Sequence, residues 1–514
     1  MMIFEWIVGV LFGAVLLAAL ARRVGAPYPV FLALGGIGLA FIPAVPNLVL
    51  DPELALALFL APVLMDAGYG TSVRDLRTHW RPIAGLALGA VVATTLAVAV
   101  VAKLLVPDMP IAAAIVLGAI VAPPDAVAAL SVLRHVDLPH RLTTILRGES
   151  LLNDAGSLLI YRLGVTAALT GTFSIAEIGP AFLVGIVGSL VAGPVLALAY
   201  TAAMRPVRDA PSTIVLQFVA AFGIWIAAER LHLSGVLTVV TFAITVARLA
   251  PGLTPPRTRI VSYAVWDTAI FVLNVLAFVL IGLQIGPILE RLTSEQQLSY
   301  ALVGAAVFAT VVIVRLAWVL PASHLTALGA GHRTGSDRGL GAGGAVAWAG
   351  MRGIVTIATA LALPEGAPGF PYRDLIVLTA FCVIIGTLTI QGLTLKPLLG
   401  RLGLADDDPV GREIGHGRTQ AYAAALERLE GEAGNPAESV REKFRTALDH
   451  AEMQDDGFAT EALPADAARR RAIEAARDRV LALRRSGEIG DDAYYILEEE
   501  FDWAELNATP RAES

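Results

Sequence analysis

Residues 148–154, Gly-Glu-Ser-Leu-Leu-Asn-Asp, place two carboxylates, an amide and a hydroxyl inside a long apolar run. At helical spacing Ser150 and Asp154 share one face, and Glu149 and Asn153 share another. If this helix lies in a bilayer, each of these groups is costly unless it faces protein or water. An ionisable residue inside a membrane therefore indicates a functional site, provided that the surrounding chain is a membrane protein.

The composition indicates a polytopic membrane protein with a soluble tail. The chain has 514 residues, of which 56% are hydrophobic and 16% are charged, and its mean hydropathy is +0.68. Soluble domains average about 25% charged residues. Residues 1–403 carry 24 Lys and Arg against 19 Asp and Glu, whereas residues 404–514 carry 14 against 26. We therefore expect a mildly basic transmembrane domain at 1–403 and an acidic helical cytoplasmic tail at 404–514.

The single cysteine and the first apolar run narrow the class of protein further. Cys382 stands alone, which excludes an intramolecular disulfide and a thiolate metal site, and its apolar neighbours indicate a packing role. Glu5 precedes the first apolar run and Arg22-Arg23 follow it, which is the reverse of a secretory signal peptide. We expect this run to be retained as a membrane span.

Apolar segments long enough to cross a bilayer, roughly 17–25 residues each, recur along residues 1–400. Lysine and arginine collect in alternate connections between them, a pattern that places the N-terminus outside and the tail in the cytoplasm. The predicted fold is all-α, with about thirteen transmembrane helices. The predicted spans are 4–21, 28–46, 52–68, 82–105, 110–133, 142–170, 174–203, 212–230, 233–250, 264–288, 298–322, 341–363 and 373–396.

Two of these spans are interrupted. Span 110–133 contains Pro123-Pro124 followed by Asp125, and two prolines in a helix interior remove hydrogen bonds and clash with the preceding turn. Span 341–363 holds five glycines, with Arg352 near its centre. Broken helices at corresponding places in two halves indicate the midplane site of a secondary transporter. The two spans are seven apart in order, which fits two inverted six-helix repeats joined by a seventh helix.

The polar residues of the spans suit a hard cation. Such cations prefer carboxylate, hydroxyl and carbonyl oxygens, which are available at Asp66, Asp125, Ser150 and Asp154. Histidine and thiolate are missing from the neighbouring sequence, so we do not expect a transition-metal site. A desolvated carboxylate is neutralised by either a proton or a cation. This competition by itself produces exchange, provided that the empty charged site cannot cross the membrane.

Each polar residue also has a purely structural interpretation. Arg352 and Glu149 would each be costly alone, so the favoured role of both is a buried ion pair between spans six and twelve. Ser150 would be satisfied by bonding to the carbonyl four residues earlier, and Asp66 by a place on the rim of the site. The charged residues near span ends are expected to snorkel to the interface. They are Arg162, Glu229, Asp267 and Arg315.

Five ordered motifs resemble those of the monovalent cation:proton antiporter family, which includes bacterial sodium–proton exchangers. Residues 148–154 are similar to the signature of this family, and the resemblance extends along residues 4–400. The other motifs are APVLMDAGY at 61–69, APPDAVAAL at 122–130, FVLIGLQI at 278–285 and GMRGIVTIATALALP at 350–364.

The resemblance implies a thirteen-helix antiporter of two inverted repeats that works as a homodimer in a bacterial inner membrane and serves pH homeostasis. By the same resemblance, Asp154 carries the exchanged cation or proton and Ser150 contributes a ligand. Asn153 and Asp125 would organise the site, and Asp66 would contribute from the cytoplasmic side. Sodium ligands are thus expected among Asp154, Ser150 and Asp66.

The family pattern further implies that Glu149 and Arg352 form the structural ion pair, but the chain departs from that pattern elsewhere. Pro124 stands where many members have threonine, so a ligand there must be the main-chain carbonyl. Ala155-Gly156-Ser157 replaces a common Ala-Thr. Related electrogenic exchangers have a second aspartate at the position of Asn153, and a neutral amide leaves one carboxylate to neutralise. We therefore expect electroneutral exchange of one cation for one proton.

The sequence thus predicts a secondary active antiporter and not an enzyme. It would exchange Na⁺, or Li⁺ or K⁺, for H⁺ without a cofactor, among membrane lipids and without a nucleic-acid partner. A potassium-preferring exchanger is an alternative, because ligand type does not select ion size. A cation channel built on the same residues is a second alternative. An intramembrane hydrolase is a third, which Ser150 supports weakly because no histidine lies near it.

The acidic tail is predicted to be helical. Residues 417–453 and 465–485 have the composition of polar helices, and 491–506 forms a further helix that carries aromatic residues. A solvated helical hairpin, packed on itself or on a second copy, is favoured over a ligand-binding domain.

Overall fold

The computed structural model describes residues 2–24, 26–42, 52–125, 128–129, 139–171, 175–207, 209–250, 254–329, 336–365, 369–404, 409–430, 434–453, 466–486, 488 and 491–508. The chain divides into two compact units, Met1–Ala405 and Asp406–Ser514. The regular structure of the described residues is helical in both units.

The first unit contains helices α1 to α15, several of which are interrupted. They are α1 Met2–Val24, α2 Tyr28–Ala40, α3 52–69, α4 Val73–Thr78, α5 Trp80–Leu105, α6 Ile111–Val121, α7 His140–Thr170, α8 Ile175–Met204, α9 Ala210–Arg230, α10 Gly235–Leu249, α11 Pro256–Glu290, α12 Ser294–Gly329, α13 Ser336–Trp348, α14 Ile354–Leu361 and α15 Arg373–Leu402.

Six helical stretches in the described residues are long and apolar enough to cross a membrane, and four shorter apolar helices accompany them. The long stretches are Trp80–Leu105, Val184–Met204, Ala210–Arg230, Pro256–Glu290, Ser294–Ser323 and Arg373–Leu402. Their outward faces carry exposed apolar side chains, such as Leu96 and Val100 on α5 and Val191 and Val195 on α8. Exposed apolar faces of this kind suit lipid, so the first unit is a multi-pass membrane domain.

Small residues set the closest approach between helices. A Cβ atom added to Gly36 of α2 would lie 2.3 Å from the carbonyl oxygen of Val279 on α11. A Cβ atom added to Gly282 of α11 would lie 2.2 Å from the carbonyl oxygen of Ala33. Because glycine lacks this atom, the two backbones pack against each other directly, as is typical of membrane helix pairs.

The two predicted interruptions are present. Helix α6 ends at Val121, and residues 122–125, which include Pro123-Pro124, are non-helical. Helix α13 ends at Trp348, and α14 begins only at Ile354. Part of the predicted span 110–133, residues 126–127 and 130–133, lies outside the described residues. In the part of the chain that the structure describes, three π-helical turns add further irregularity, at Leu56–Leu60 in α3, Gly85–Ala90 in α5 and Thr387–Gln391 in α15.

The second unit contains four helices in its described residues, one more than the sequence predicted. They are α16 Pro409–Leu429, α17 Asn435–Met453, α18 Asp466–Ser486 and α19 Asp491–Leu506. The prediction of one continuous helix over 417–453 was wrong. Helix α16 ends at Leu429, and Gly434, directly before α17, has a φ of +116°, which a continuous helix does not allow.

The helices of this unit pack in pairs, α16 with α17 and α18 with α19. Arg477 of α18 joins its pair through Glu498 at 2.8 Å, Asp502 at 2.6 Å and Glu505 at 2.8 Å on α19. The hydrogen bond that Arg477 donates to Asp502 is the main reason that the pKa of Arg477 is raised above its usual value. This unit is therefore built from charged helical hairpins, as its composition indicated.

Candidate ion-binding site

A cavity of about 610 Å³ lies between α3, α7, α11 and the two broken helices. The polar side chains that line its deep part include Asp125, Ser150, Asp154, Asn274 and Thr356. From there the cavity extends to Arg22 in the last turn of α1, to Gly70 directly after α3 and to Arg147 in the second turn of α7.

The first break is held in place by α7 and by the second break. The prolines free the backbone of residues 122–125, and the Pro124 carbonyl accepts a hydrogen bond of 3.0 Å from Nδ2 of Asn153. The backbone N–H of Asp125 donates to the carbonyl of Met351 at 2.6 Å. A Cβ atom on Gly353 would lie 1.6 Å from Oδ2 of Asp125, so the carboxyl group rests directly on the glycine. The two broken helices therefore meet beside the cavity.

Asp154 lies against this junction and is 5% exposed. Within the described residues it forms no ion pair, and the charged neighbour that acts on it is Asp125. Ser150, one helical turn earlier, is half-buried and lines the same cavity, while Asp66 on α3 is exposed within it. The spacing of residues 148–154 thus directs a hydroxyl and a carboxyl group to one space, because they share a helical face.

Asn153 supports the site without lining the cavity. Its side chain is fully buried, and its Oδ1 has no hydrogen-bond partner among the described atoms. The bond from its Nδ2 occupies one lone pair of the Pro124 carbonyl, which leaves the second lone pair for another donor or cation. Of the predicted site residues, Asp66, Pro124, Asp125, Ser150 and Asp154 line the cavity.

The predicted ion pair between Glu149 and Arg352 was wrong, because Glu149 pairs with Arg315 of α12. Nη1 and Nη2 of Arg315 lie 2.6 and 2.9 Å from Oε1 and Oε2 of Glu149, and both side chains are at least 97% buried. Arg315 was expected to snorkel to a span end. It reaches the interior instead because Gly350 has no side chain, where a Cβ atom would lie 2.4 Å from Cδ of Arg315.

Arg352 supports the backbone of the first break. It is 1% exposed, and its Nε and Nη2 donate to the carbonyls of Val121 and Ala122, both at 3.0 Å. Its Nη1 donates to the carbonyl of Gly350. The Val121 and Ala122 carbonyls lie at the C-terminal end of α6, where they lack helical partners. The C-terminal end of a helix attracts positive charge.

Arg315 supports the backbone of the second break in the same way. Beyond its ion pair, its Nε donates to the carbonyl of Ala347 at 3.2 Å, and its Nη2 donates to Val346 at 3.1 Å. Each half-helix that stops inside the membrane domain is therefore capped at its C-terminus by a buried arginine. Sequence reasoning missed Arg315, although a charge within an apolar run is the signal that found Asp154.

Ion pairs outside the lining of the cavity join helices of the membrane domain. Arg162, about two turns beyond Asp154 on α7, donates to both carboxylate oxygens of Glu229 at 3.0 and 2.8 Å. These two residues were expected to snorkel to the interface. Arg162 is exposed and Glu229 is half-buried, the two pair with each other, and Asp267 is exposed as well.

A second set of ion pairs lies beyond α11 and α14, where Glu365 accepts from Arg291 at 3.1 Å and lies 2.7 Å from Arg373. The hydrogen bond from Arg291, followed by the charge of Arg373, holds the pKa of Glu365 below its usual value. Glu365 therefore stays charged and links the ends of α11 and α15.

Three further polar residues contribute that the sequence analysis did not single out. Asn274 of α11 and Thr356 of α14 line the cavity, and each is a polar residue within an apolar helix. Thr387, in the π-helical turn of α15, accepts the backbone N–H of Arg352 at 3.1 Å. Asn274 lies in the middle of a predicted span, so its polar side chain inside an apolar segment could have identified it from the sequence.

Comparison with known proteins supports the same interpretation. A family model described as "Sodium/hydrogen exchanger, transmembrane" matches residues 10–401. The uncharacterised Na⁺/H⁺ exchanger Rv2287 of Mycobacterium tuberculosis is 32% identical over 452 residues, covering 82% of this chain and 80% of that protein. The sodium, potassium, lithium and rubidium/H⁺ antiporter of Bacillus pumilus is 30% identical over 417 residues, covering 77% of this chain and 61% of that protein.

The fold also matches a solved structure. The sodium proton antiporter MjNhaP1 of Methanocaldococcus jannaschii at pH 8 superposes with a TM-score of 0.60 at 16% identity, over 78% of this chain and all of that one. An electron-microscopy structure of the same antiporter gives a TM-score of 0.63 at 18% identity. On the strength of the family match along the membrane domain, this chain belongs to the sodium/hydrogen exchanger family, which consists of transporters rather than enzymes and whose substrates are the transported ions.

Proposed function

We propose that this protein exchanges one monovalent cation for one proton at Asp154, with Na⁺ as the principal cation. The observation that carries the proposal is a buried carboxyl group that lines a cavity without a cationic partner among the described residues. Such a group is neutralised by a proton or by a cation that enters the cavity, so the two compete for it.

The arrangement of the buried arginines strengthens this argument. Arg315 is neutralised by Glu149, and Arg352 is bound by three main-chain carbonyls. Arg315 and Arg352 are therefore both bound to groups at the ends of half-helices. Oxygen ligands for the cation would come from Asp154, Ser150 and Asp66, with the Pro124 carbonyl and Asp125 beside them.

The proposed transport cycle is alternating access between two inverted six-helix repeats, with thirteen spans in all. The cavity extends toward Arg22 and Arg147, which the positive-inside rule assigns to the cytoplasm. In that orientation the N-terminus is outside, the tail is cytoplasmic, and the ion pairs Arg162–Glu229 and Arg291–Glu365 lie toward the outer side.

Electroneutral exchange is proposed because the amide of Asn153 adds no charge beside Asp154. The protein would act as a homodimer in a bacterial cytoplasmic membrane and serve pH homeostasis. A potassium-preferring exchanger is the second candidate, since the Bacillus pumilus relative is named for transport of several alkali cations.

The test is cation-induced proton movement in proteoliposomes that contain the purified full-length protein. We expect proton release to follow addition of Na⁺, and comparison with Li⁺ and K⁺ across pH ranks the candidate substrates. An imposed voltage should leave the exchange rate unchanged if the stoichiometry is one to one. Downhill cation flux without proton movement would instead identify a channel.

A further inference from the structure

A second cavity, of about 180 Å³, lies in the membrane domain beside the first. It is enclosed where α3, α8 and α10 end and where α9 and α11 begin. Three of its lining residues, Asp66, Tyr69 and Tyr263, also line the ion cavity, whereas Asp154 and Ser150 do not reach it. Apart from Asp66 at the shared boundary, the transport chemistry proposed above makes no use of the residues of this cavity.

The lining of this cavity combines two arginines and the carboxyl group of Asp66 with apolar surface. Arg205, directly after α8, and Arg259, in the first turn of α11, lie at the helix ends. The deeper walls are formed by apolar side chains. They are Met65, Met204, Val246 and Trp266.

Hydrogen bonds among Gln217, Ser262 and Trp266 hold the polar groups of this cavity in place. Nε1 of Trp266 donates to Oε1 of Gln217 at 2.6 Å, and Nε2 of Gln217 donates to Oγ of Ser262 at 3.5 Å. Trp266 is also stacked on Phe218 with ring centroids 4.3 Å apart. This network fixes the indole ring as a rigid apolar wall, so the pocket is pre-formed and does not have to be opened by a ligand.

We propose that this pocket binds an anionic amphiphile. Its phosphate or carboxylate group would lie at Arg205 and Arg259, which suit such groups because guanidinium forms paired hydrogen bonds with them. Its apolar chain would lie against Met204, Val246 and Trp266. Exposed apolar residues on the same helices, such as Leu198 on α8 and Val215 on α9, offer a path for a longer chain toward lipid.

An occupant of this pocket would act on the mouth of the ion cavity. Tyr69 of α3 and Tyr263 of α11 line both cavities and lie between the two spaces. A ligand that holds α3 and α11 in their present positions would change the apparent affinity for the cation. This consequence rests on the proposed exchange function, whereas binding itself does not.

Binding is therefore measured first, as the thermal unfolding midpoint of the full-length protein in a neutral detergent, with dodecyl phosphate as the probe. We expect dodecyl phosphate to raise the midpoint of the wild type, because a ligand that binds only the folded state stabilises it. Arg259→Gln and Arg205→Gln should reduce the rise, and Val246→Phe should reduce it by filling the space. Arg257→Gln is the matched control, since it removes the same charge from the same helix end outside the pocket.

Equal rises in the wild type and in both Arg205→Gln and Arg259→Gln would overturn the proposal. An equal rise with inorganic phosphate alone would overturn it as well, because the apolar part of the ligand would then contribute nothing. Nanodiscs of phosphatidylcholine with and without phosphatidylglycerol distinguish the source of the ligand. Stabilisation by phosphatidylglycerol identifies a membrane lipid, and stabilisation by dodecyl phosphate only identifies a soluble amphiphile.

The transport consequence is measured second, in proteoliposomes with and without the anionic ligand. We expect the KM for the cation to change at least about twofold in the wild type and in Arg257→Gln, but not in Arg259→Gln. Binding without a change in KM would overturn the coupling to the ion cavity. A failure of exchange in all samples, with the thermal shifts intact, would instead count against the proposed function.

Discussion

The first and second breaks, at residues 122–125 and 349–353, meet beside one cavity but are built from opposite residue types. The first consists of prolines followed by Asp125, so backbone carbonyls are freed and a carboxyl group enters the cavity. The second consists of glycines around Arg352, so other side chains approach its backbone closely. Proline creates the first site by removing a donor, and glycine permits the second by leaving space.

The two long helices beside the breaks, α7 and α15, also differ in the residues that they place near the breaks. Asp154 lies fourteen residues after the start of α7, and Thr387 lies fourteen residues after the start of α15. Asp154 lines the cavity, whereas Thr387 accepts the backbone N–H of Arg352. At the same distance from the start of the helix, α7 thus carries a carboxyl group and α15 a neutral hydroxyl group. The proposed ion chemistry belongs to the first break, and the second break contributes support.

The largest expected effect is at the first break. Asp154→Asn should reduce cation-dependent proton movement to the level of protein-free liposomes, because the carboxyl group for which the proton and cation compete is gone. The fold should persist, since the amide is of similar size. Asp267→Asn, an exposed aspartate of α11, is the matched control and should retain exchange. Flux retained in Asp154→Asn would refute the assignment.

The ion pair that supports the second break should have the next largest effect. Glu149→Gln leaves Arg315 buried without its partner, so the free energy of unfolding should fall by about 3–5 kcal/mol. The double variant Glu149→Gln, Arg315→Gln should recover part of this loss in denaturation of the purified protein. Stronger coupling of Glu149 to Arg352 than to Arg315, in a double-mutant cycle, would contradict the observed pairing.

The contact between the two breaks is probed by Gly353→Ala. The added Cβ atom would lie 1.6 Å from Oδ2 of Asp125, so the carboxyl group must move. We expect the exchange rate to fall roughly tenfold, which corresponds to about 1.4 kcal/mol. Gly344→Ala on α13 has open space around its Cβ position and should leave the rate unchanged. Equal rates in the two variants would show that the position of Asp125 does not matter.

The smallest effect is expected from Thr387→Val, which removes the acceptor for the Arg352 backbone N–H. Loss of one buried hydrogen bond should lower the free energy of unfolding by about 1–3 kcal/mol. The KM for the cation should not change, because Thr387 does not line the cavity. A large change in KM would mean that the second break takes part in ion binding, and the division between the two breaks would fail.

Much of the site was predictable because it depends on residues that are close together in the sequence. Two adjacent prolines interrupt a helix wherever they occur, and residues four apart share a helical face. These facts identified the first break and placed Ser150 and Asp154 on one side of α7. The partner of Glu149 was not predictable in this way, since Arg315 is 166 residues away and two buried arginines were available.

By itself, the sequence determined that the chain is a membrane protein with two interrupted helices and an intramembrane carboxyl group at Asp154. Those properties follow from hydropathy, proline and glycine chemistry, and helical spacing. Only the tertiary structure decided how the buried charges are matched, with Arg315 on Glu149 and Arg352 on the carbonyls that end α6. The physical reason is that such matching depends on which helices approach one another closely, and that approach is set by packing across the whole membrane domain.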